Sequence, residues 1–580
     1  MFYQEKIWLG NTKKEKVFLY PKMANRHGMI AGATGTGKTV TLKVMAESFS
    51  SMGVPVFMAD VKGDLAGLCC PGEEMGVAAK RAEELGLFQE GFEFSSYPVT
   101  FWDIYKEQGL PLRTTISEMG PLLLARILEL NETQSDILTV LFKIADDEGL
   151  LLLDTKDLKS MIQYVADNNK EYALEYGNMA KQSLTAILRA VIALESEGGN
   201  EFFGETALDI RDWLRTDYEG KGSIQLLDCR KLINNPTMYS TFMLWLMSEL
   251  FEALPEVGDS KKPRMVFFFD ESHLLFDTAP KSLLTKIEQV VKLIRSKGVG
   301  IYFITQNPKD IPEGILGQLG CKVQHALRAY TPAEQKAAKA AAMAFRENPE
   351  FDTLEAITSL GIGEALVSVL DEEGIPTIVQ RCKILPPQSR MEVLEEEIRK
   401  DEILNHILYP KYTQELDRES AYEILVKRVV QEEEEEAALK QQQAEEKEAL
   451  RKQKEEEKEA LRKQQAEEKE ALRKQKEMEK EEQKRQAAEE RELEKQRAAR
   501  EREEQKKLEA ARKAEEKEEK AREKRRNTAI KRVASAATGT IGREIGNQLG
   551  ESVGGKFGKK LGGNVGASIG RGLLSNLFRL

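Results

Sequence analysis

The residues Gly32-Ala33-Thr34-Gly35-Thr36-Gly37-Lys38-Thr39 put three glycines, an ammonium and a hydroxyl into the pattern G-x-x-x-x-G-K-T. Glycines let the backbone turn so that successive N–H groups face one phosphate, and a helix opening at this point adds the positive end of its dipole. Lys38 then reaches the β- and γ-phosphates of ATP. Thr39 carries a hydroxyl for one position around Mg²⁺, whose other ligands are waters and nucleotide oxygens. A second pair of groups, Asp270-Glu271, closes the apolar run Met265-Val-Phe-Phe-Phe269. At the end of a buried strand Asp270 can hold the Mg²⁺ water shell while Glu271 polarises an attacking water, which makes hydrolysis the indicated chemistry. Gln306, after the run Val299 to Ile304, is long and both donates and accepts hydrogen bonds, as suits a γ-phosphate sensor or a residue that places water. Arg295 and Arg328 are candidates for an arginine finger reaching a neighbouring subunit's nucleotide, and the sequence does not choose between them.

These groups need strands to deliver them to one edge. Gly28 to Ala31 leads into the phosphate loop and Val40 to Phe49 continues as a helix. Val54 to Ala59 is a second buried strand ending at Asp60 and Lys62, which makes those two candidates for the rim of the site or for ordering Mg²⁺ and water. Further strands fall at Ser223 to Asp228, Met265 to Phe269, Val299 to Ile304 and Lys322 to Leu327, with a helix from Met238 to Leu254. The pattern is α/β with a parallel central sheet. Residues 112–200 are apolar at helical spacing and form a helical insertion, within which Asn131-Glu-Thr-Gln134 has the form of a helix cap. Residues 1–25 supply a strand at Lys16 to Tyr20 and a lead-in; Ala365 to Leu370 and Ile375 to Arg381 form a hairpin; Pro386-Pro387 closes the domain near 388. His27, directly before the phosphate-loop strand, is structural on this reading.

Charged residues make up 32% of the chain because the stretch after Gln431 is almost wholly Glu, Lys, Arg, Gln and Ala, so the net charge of −11 describes no single domain. The five cysteines show no C-x-x-C spacing, and neither a zinc site nor a disulfide framework is indicated. With no signal-like N-terminus and no apolar run long enough to span a bilayer, the expected location is the cytoplasm.

Taken in order, GATGTGKT, DVKGD, FFFDESH and ITQNP resemble the HerA/FtsK superfamily of P-loop ATPases, most closely its YjgR-like, HerA-type group, over roughly residues 1–390. The resemblance implies a RecA-like sheet with a catalytic Glu, assembly into a homo-oligomeric ring, a hexamer, and ATP hydrolysis coupled to movement along duplex DNA. It departs from the family pattern in having a short segment before the phosphate-loop strand at Gly28, where HerA-type translocases carry a β-barrel.

Beyond a helical connector, 389–430, lies a low-complexity helix or weak coiled coil, 431–527, in which Leu450, Leu461 and Leu472 recur at spacing eleven. The pairs Glu448/Lys452, Glu459/Lys463 and Glu470/Lys474 support a solvated helix. Residues 528–580 form a glycine-rich G-x-x-x-G tail in which Ile541, Ile545, Leu549, Val553, Phe557, Leu561, Val565 and Ile569 each precede a glycine. Eight basic against two acidic residues there favour an anionic membrane, nucleic acid or a protein partner, with a location peripheral to the inner membrane. Two functions follow: a ring-forming DNA translocase or helicase, or a nucleotide-switched scaffold or membrane-associated assembly protein working through its tail.

Overall fold

The computed structural model describes residues 1–497 apart from 259, 277–280, 415 and 417. It divides into two units, Met1–Gln442 and a second that begins at Gln443.

The first unit is built on one sheet of thirteen strands. Its N-terminal strands are β1 (Phe2–Tyr3), β2 (Lys6–Asn11) and β3 (Lys16–Leu19); β4 (Gly28–Ala31) runs into the phosphate loop and helix α1 (Lys38–Ser51). Then come β5 (Val56–Asp60), helix α2 (Val77–Glu84), β6 (Val99–Asp103) and β7 (Leu110–Pro111). After the insertion follow β8 (Ile224–Asp228), β9 (Met265–Phe269), β10 (Val299–Thr305), β11 (Cys321–Gln324), β12 (Glu364–Ser368) and β13 (Gln380–Ile384). The order is β1-β2-β13-β12-β11-β4-β10-β9-β5-β8-β6-β7, with β3 beside β2. From β11 to β7 every neighbouring pair is parallel, and from β11 outward through β12, β13 and β2 the pairing turns antiparallel. The order β11-β4-β10-β9-β5 with the phosphate loop on the central β4 is the RecA-like arrangement, and the α/β class and parallel core expected from the sequence are present.

Strand alternation divides the core into two layers. Phe267, Phe269, Ile301 and Phe303 face one cluster, shared with the helices Pro236–Ala253 and Lys281–Ile294, while Val266, Phe268, Tyr302 and Ile304 face α1 on the other side. The insertion, between β7 and β8, includes α3 (Ile116–Ile127), α4 (Glu132–Glu148), α5 (Thr155–Asp167), α6 (Asn169–Tyr176) and α7 (Lys181–Leu194). The expected cap at Asn131 is there: its side chain accepts from the Gln134 amide while Gln134 reaches back to the Asn131 N–H.

Three expectations change. The first 25 residues contribute three antiparallel strands rather than one, fixed by Trp8, which is fully buried and donates its indole N–H to Asn11 Oδ1 at 2.8 Å. The hairpin of β12 and β13 exists, but its second strand starts at Gln380 rather than Ile375: Pro376 makes only an isolated bridge to Leu370, and the Val379 N–H donates to Arg346 O at 3.0 Å instead of to β12. The compact unit also does not close at 388. Glu47, buried on α1, accepts the Gln388 and Ser389 amides at 2.8 and 3.0 Å and the Ser389 hydroxyl at 2.5 Å. Farther on, Leu408, Tyr412, Ala421 and Leu425 are buried in the main core. Asp157 at the start of α5 accepts the Ser420 hydroxyl at 2.6 Å and the Tyr422 amide at 2.8 Å, tying in the first turn of the helix Ala421–Arg497.

In the second unit that helix is solvent-exposed. Leu450, Leu461 and Leu472 are each about half exposed, and Glu448–Lys452 and Glu470–Lys474 close at 3.0 and 3.2 Å, the solvated helix that the sequence implied. The glycine ladder from 528 lies outside the described residues.

Candidate nucleotide site

The phosphate loop leaves the carboxyl end of β4 between two parallel neighbours that pin its first residues: Gly32 N–H donates to Thr305 O at 3.2 Å and Ala33 N–H to Ala326 O at 2.8 Å. Gly32 has φ +154°, and a Cβ there would lie 2.5 Å from Cβ of His325. Gly37, at φ +114°, ends the loop as the residue before α1 and packs against Gly363, so both positions need glycine. Thr36 Oγ1 donates to Ala33 O at 2.7 Å, closing the turn over Thr34 and Gly35. A side chain at Gly35 would meet nothing within 4 Å, so this part of the loop is open.

Lys38 is buried at the start of α1, its ammonium 2.7 Å from Gly32 O and 3.2 Å from Ala33 O. Burial lowers its pKa, against the pull of Glu271. A buried cation satisfied by carbonyls, in a loop of glycines and at a helix N-terminus, fits a phosphate. Thr39 Oγ1 donates to Asp64 Oδ2 at 3.3 Å, while Asp64 Oδ1 is buried and has no partner.

Asp270 and Glu271 follow β9, which lies next to β10 on one side and β5 on the other. Asp270 is buried, and its Oδ1 accepts the Glu271 amide at 2.9 Å; burial pushes its pKa up to about 6, partly offset by Lys62. Glu271 has φ +45°, a left-handed backbone costly for a side chain, which directs its carboxyl group toward Lys62 and Gln306. Lys62 Nζ donates to Oε1 at 2.6 Å and Gln306 Nε2 to Oε2 at 3.3 Å, with His273 Nδ1 3.4 Å from Oε2. Burial alone would raise the Glu271 pKa, but the Lys62 ammonium, Gln306 and Lys38 bring it below the ordinary carboxylate value.

The two rim candidates behave differently. Lys62 reaches the site, whereas Asp60 shapes the turn, accepting the Gly63 N–H at 2.6 Å and the Leu65 N–H at 3.3 Å while burial and Asp64 raise its pKa to about 7. His27 is structural, its Nδ1 accepting the Ile301 amide at 3.0 Å. The arginines also separate. Arg328 lines a cleft of about 960 Å³ shared with Gly35, Thr36, Tyr330 and Lys336 of its own chain. Arg295 is exposed just before β10, at the end of the sheet opposite the phosphate loop.

His325 was not foreseen. It follows β11 under the phosphate loop, with Nε2 2.8 Å from Thr41 Oγ1 and Nδ1 3.0 Å from Glu364 O, joining α1 to β12. Its one sequence signal is a histidine closing an apolar strand beside the phosphate-loop strand.

Among the described residues no group of three or more His, Cys, Asp or Glu could hold a metal by itself. Mg²⁺ keeps several waters and needs only one or two protein oxygens, and the Thr39 hydroxyl and the Asp270 carboxylate are oxygens of the kind it takes. Among the described residues, no helix is long and apolar enough to cross a membrane.

Comparison with known proteins gives a family. Residues 5–482 match the model of the Helicase HerA-like C-terminal family. The chain is 22% identical over 354 residues to a "Probable helicase MJ1565" of Methanocaldococcus jannaschii, covering 60% of this chain and 60% of that protein. It is 21% identical over 381 residues to the "DNA double-strand break repair helicase HerA" of Sulfolobus acidocaldarius, covering 64% of this chain and 67% of that one. The first of these relatives is thus spanned over less than two thirds of its length. Among solved structures, the bacterial conjugative coupling protein TrwBdeltaN70 aligns with a TM-score of 0.45 at 14% identity, over 67% of this chain and 92% of that one. With its phosphate loop, its strand-end Asp270-Glu271 and a family match over most of its length, the chain belongs to the Helicase HerA-like C-terminal family of P-loop ATPases.

Proposed function

We propose that this chain hydrolyses ATP with Mg²⁺ and couples the turnover to movement along duplex DNA, as a DNA translocase or helicase working in a cytoplasmic homo-oligomeric ring, a hexamer. The observation that carries the hydrolytic part is the convergence of Lys62 and Gln306 on the Glu271 carboxylate, on the strand end beside Asp270 and Lys38. A nucleotide switch needs a phosphate loop; a buried carboxylate kept ionised at a strand end suits an attack on phosphorus.

In this reading the glycine loop from Gly32 to Gly37 holds the phosphates through its N–H groups, and Lys38 moves from the loop carbonyls onto the β- and γ-phosphate oxygens. Thr39 and Asp270 hold Mg²⁺, which when bound neutralises charge on the phosphate oxygens. Glu271 polarises the attacking water and Gln306 orients it. Arg328 stands where it can meet phosphates of its own chain's nucleotide, whereas Arg295 can serve only a neighbour's site. DNA as the track rests on the family and on the helicase names of the two relatives.

The test is ATP turnover with Mg²⁺, alone and with duplex DNA, single-stranded DNA or anionic liposomes. Stimulation by duplex DNA is expected. Nucleotide binding without turnover, or stimulation by liposomes alone, would replace the motor with the switched scaffold.

A further inference from the structure

Lys62 does more in this site than the roles above require. β5 lies parallel to β9 with Ala59 opposite Phe269, so the strand ends place Asp60 beside Asp270 and bring the following turn to Glu271. That turn is fixed at its base, because Asp60 caps the Gly63 and Leu65 amides. It is also attached to the start of α1, because Asp64 accepts the Thr39 hydroxyl. One five-residue segment, Asp60 to Asp64, therefore touches the hydroxyl meant for Mg²⁺ at one end and the carboxylate meant for water at its middle.

Both oxygens of that carboxylate are engaged. Oε1 takes the Lys62 ammonium at 2.6 Å; Oε2 takes Gln306 at 3.3 Å and lies 3.4 Å from His273. A carboxylate satisfied on both oxygens, with a cation on the nearer one, polarises water weakly. Taking the ammonium off Oε1 would restore the basicity that a group polarising water needs. Lys62 is the partner able to leave, since its side chain is 41% exposed on a flexible four-carbon stem while Glu271 is 6% exposed. A second destination is near, because Lys62 and the phosphate-loop ammonium of Lys38 both act on the one Glu271 carboxylate, and the Lys62 charge is felt at Lys38.

We infer that Lys62 is a γ-phosphate-responsive gate on Glu271: without a γ-phosphate its ammonium occupies Glu271 Oε1, and with ATP bound it transfers to a γ-phosphate oxygen and frees that carboxylate oxygen for water. This rests on the ATPase reading. It adds a reason for hydrolysis to wait until ATP is in place, and for ADP, which lacks the γ-phosphate, to leave the site closed.

The test uses the full chain and compares the affinities of the slowly hydrolysed analogue ATPγS and of ADP, a readout independent of turnover. Lys62→Ala should lower the preference for ATPγS over ADP about tenfold while ADP affinity stays within about twofold of wild type, and should reduce kcat about a hundredfold. Lys62→Arg should recover most of both. Glu271→Gln, which removes the competing charge, should raise the ATPγS preference a few-fold, and the gain should vanish in the Lys62→Ala/Glu271→Gln double variant. An unchanged preference in Lys62→Ala, or a gain that survives in the double variant, overturns the gate. Faster basal turnover in Lys62→Ala also overturns it, because Lys62 would then be a clamp with no phosphate contact. Absence of turnover in the wild type with the predicted preferences intact would instead count against the ATPase reading alone.

Discussion

Replacing His325 with glutamine should flatten the acid side of the stability profile. Glu364 O can only accept, so the 3.0 Å contact assigns the proton to His325 Nδ1, which leaves Nε2 to accept the Thr41 hydroxyl at 2.8 Å. Burial drives the pKa down to about 4; the bond to Glu364 opposes this and Lys38 reinforces it. A histidine in the unfolded chain titrates near 6.5, so the stability due to the neutral ring is fully present above that pH and is lost as pH falls toward 4. Between about pH 7.5 and about pH 5 the loss from this residue is about 2 kcal/mol. His27, lowered to about 4 chiefly by burial, works in the same direction, while Asp270 and Asp60, with raised values, work in the opposite one. All three remain in the variant, so the difference between the two proteins isolates His325. Thermal unfolding midpoints of wild type and His325→Gln at the two pH values provide the assay. The wild type should lose about 2–4 °C more than the variant on acidification. Equal losses would mean that the ring is charged in the folded protein or reaches solvent, and the reasoning from burial would fail.

Glu271→Gln should keep ATP affinity near wild type and cut turnover by about 10²–10⁴, while Lys38→Ala should lose nucleotide binding itself; equal binding losses, measured by equilibrium titration, would dissolve that division of roles. Mixing Lys38→Ala with Arg295→Ala subunits should restore some turnover, because Arg295 can act only across an interface, whereas mixing Lys38→Ala with Arg328→Ala should not. The reverse pattern would exchange the two arginines. A fragment ending at 388 should aggregate on expression while one ending at 442 stays folded, since the shorter piece leaves Glu47 without its Ser389 partner and strips Tyr412 and Leu425 from the core. Sedimentation and circular dichroism of the two fragments decide it.

The parallel half of the sheet was readable because each of its long strands is an apolar run ending in a chemically distinct residue: Ala31 before Gly32, Phe269 before Asp270, Thr305 before Gln306. The antiparallel side was readable only at β3 and at the hairpin of β12 and β13: β1 is two residues long, and β2 takes as its partner β13 from the far end of the domain, so pairing such as Gly10 with Ile384 has no local signature. β6, Val99–Asp103, passed unnoticed although Val, Thr, Phe and Trp favour strands; its irregular flanks hid its place in the alternation. Within the site, residue types gave Lys38, Thr39, Asp270, Glu271 and Gln306, since each motif carries its own chemistry. The Lys62–Glu271 contact and the His325–Thr41 bond join residues 209 and 284 positions apart, and such distances become legible only when β5 is known to lie beside β9 and β11 beside β4. The end of the compact unit was misplaced because two consecutive prolines mark a local turn, not the end of burial.

The left-handed backbone at Glu271 sets heat resistance against activity at one position. A residue with a side chain at φ +45° gives up about 1–2 kcal/mol that glycine would recover. Directed evolution of this chain for thermal tolerance alone would be drawn to Glu271→Gly, or to asparagine, which tolerates that backbone better than most residues. Either change relieves the backbone while removing the carboxylate that, on the proposed reading, polarises water. A library screened without a turnover step would therefore enrich inactive protein at this codon, and holding residue 271 fixed is the first rule for stabilising the enzyme.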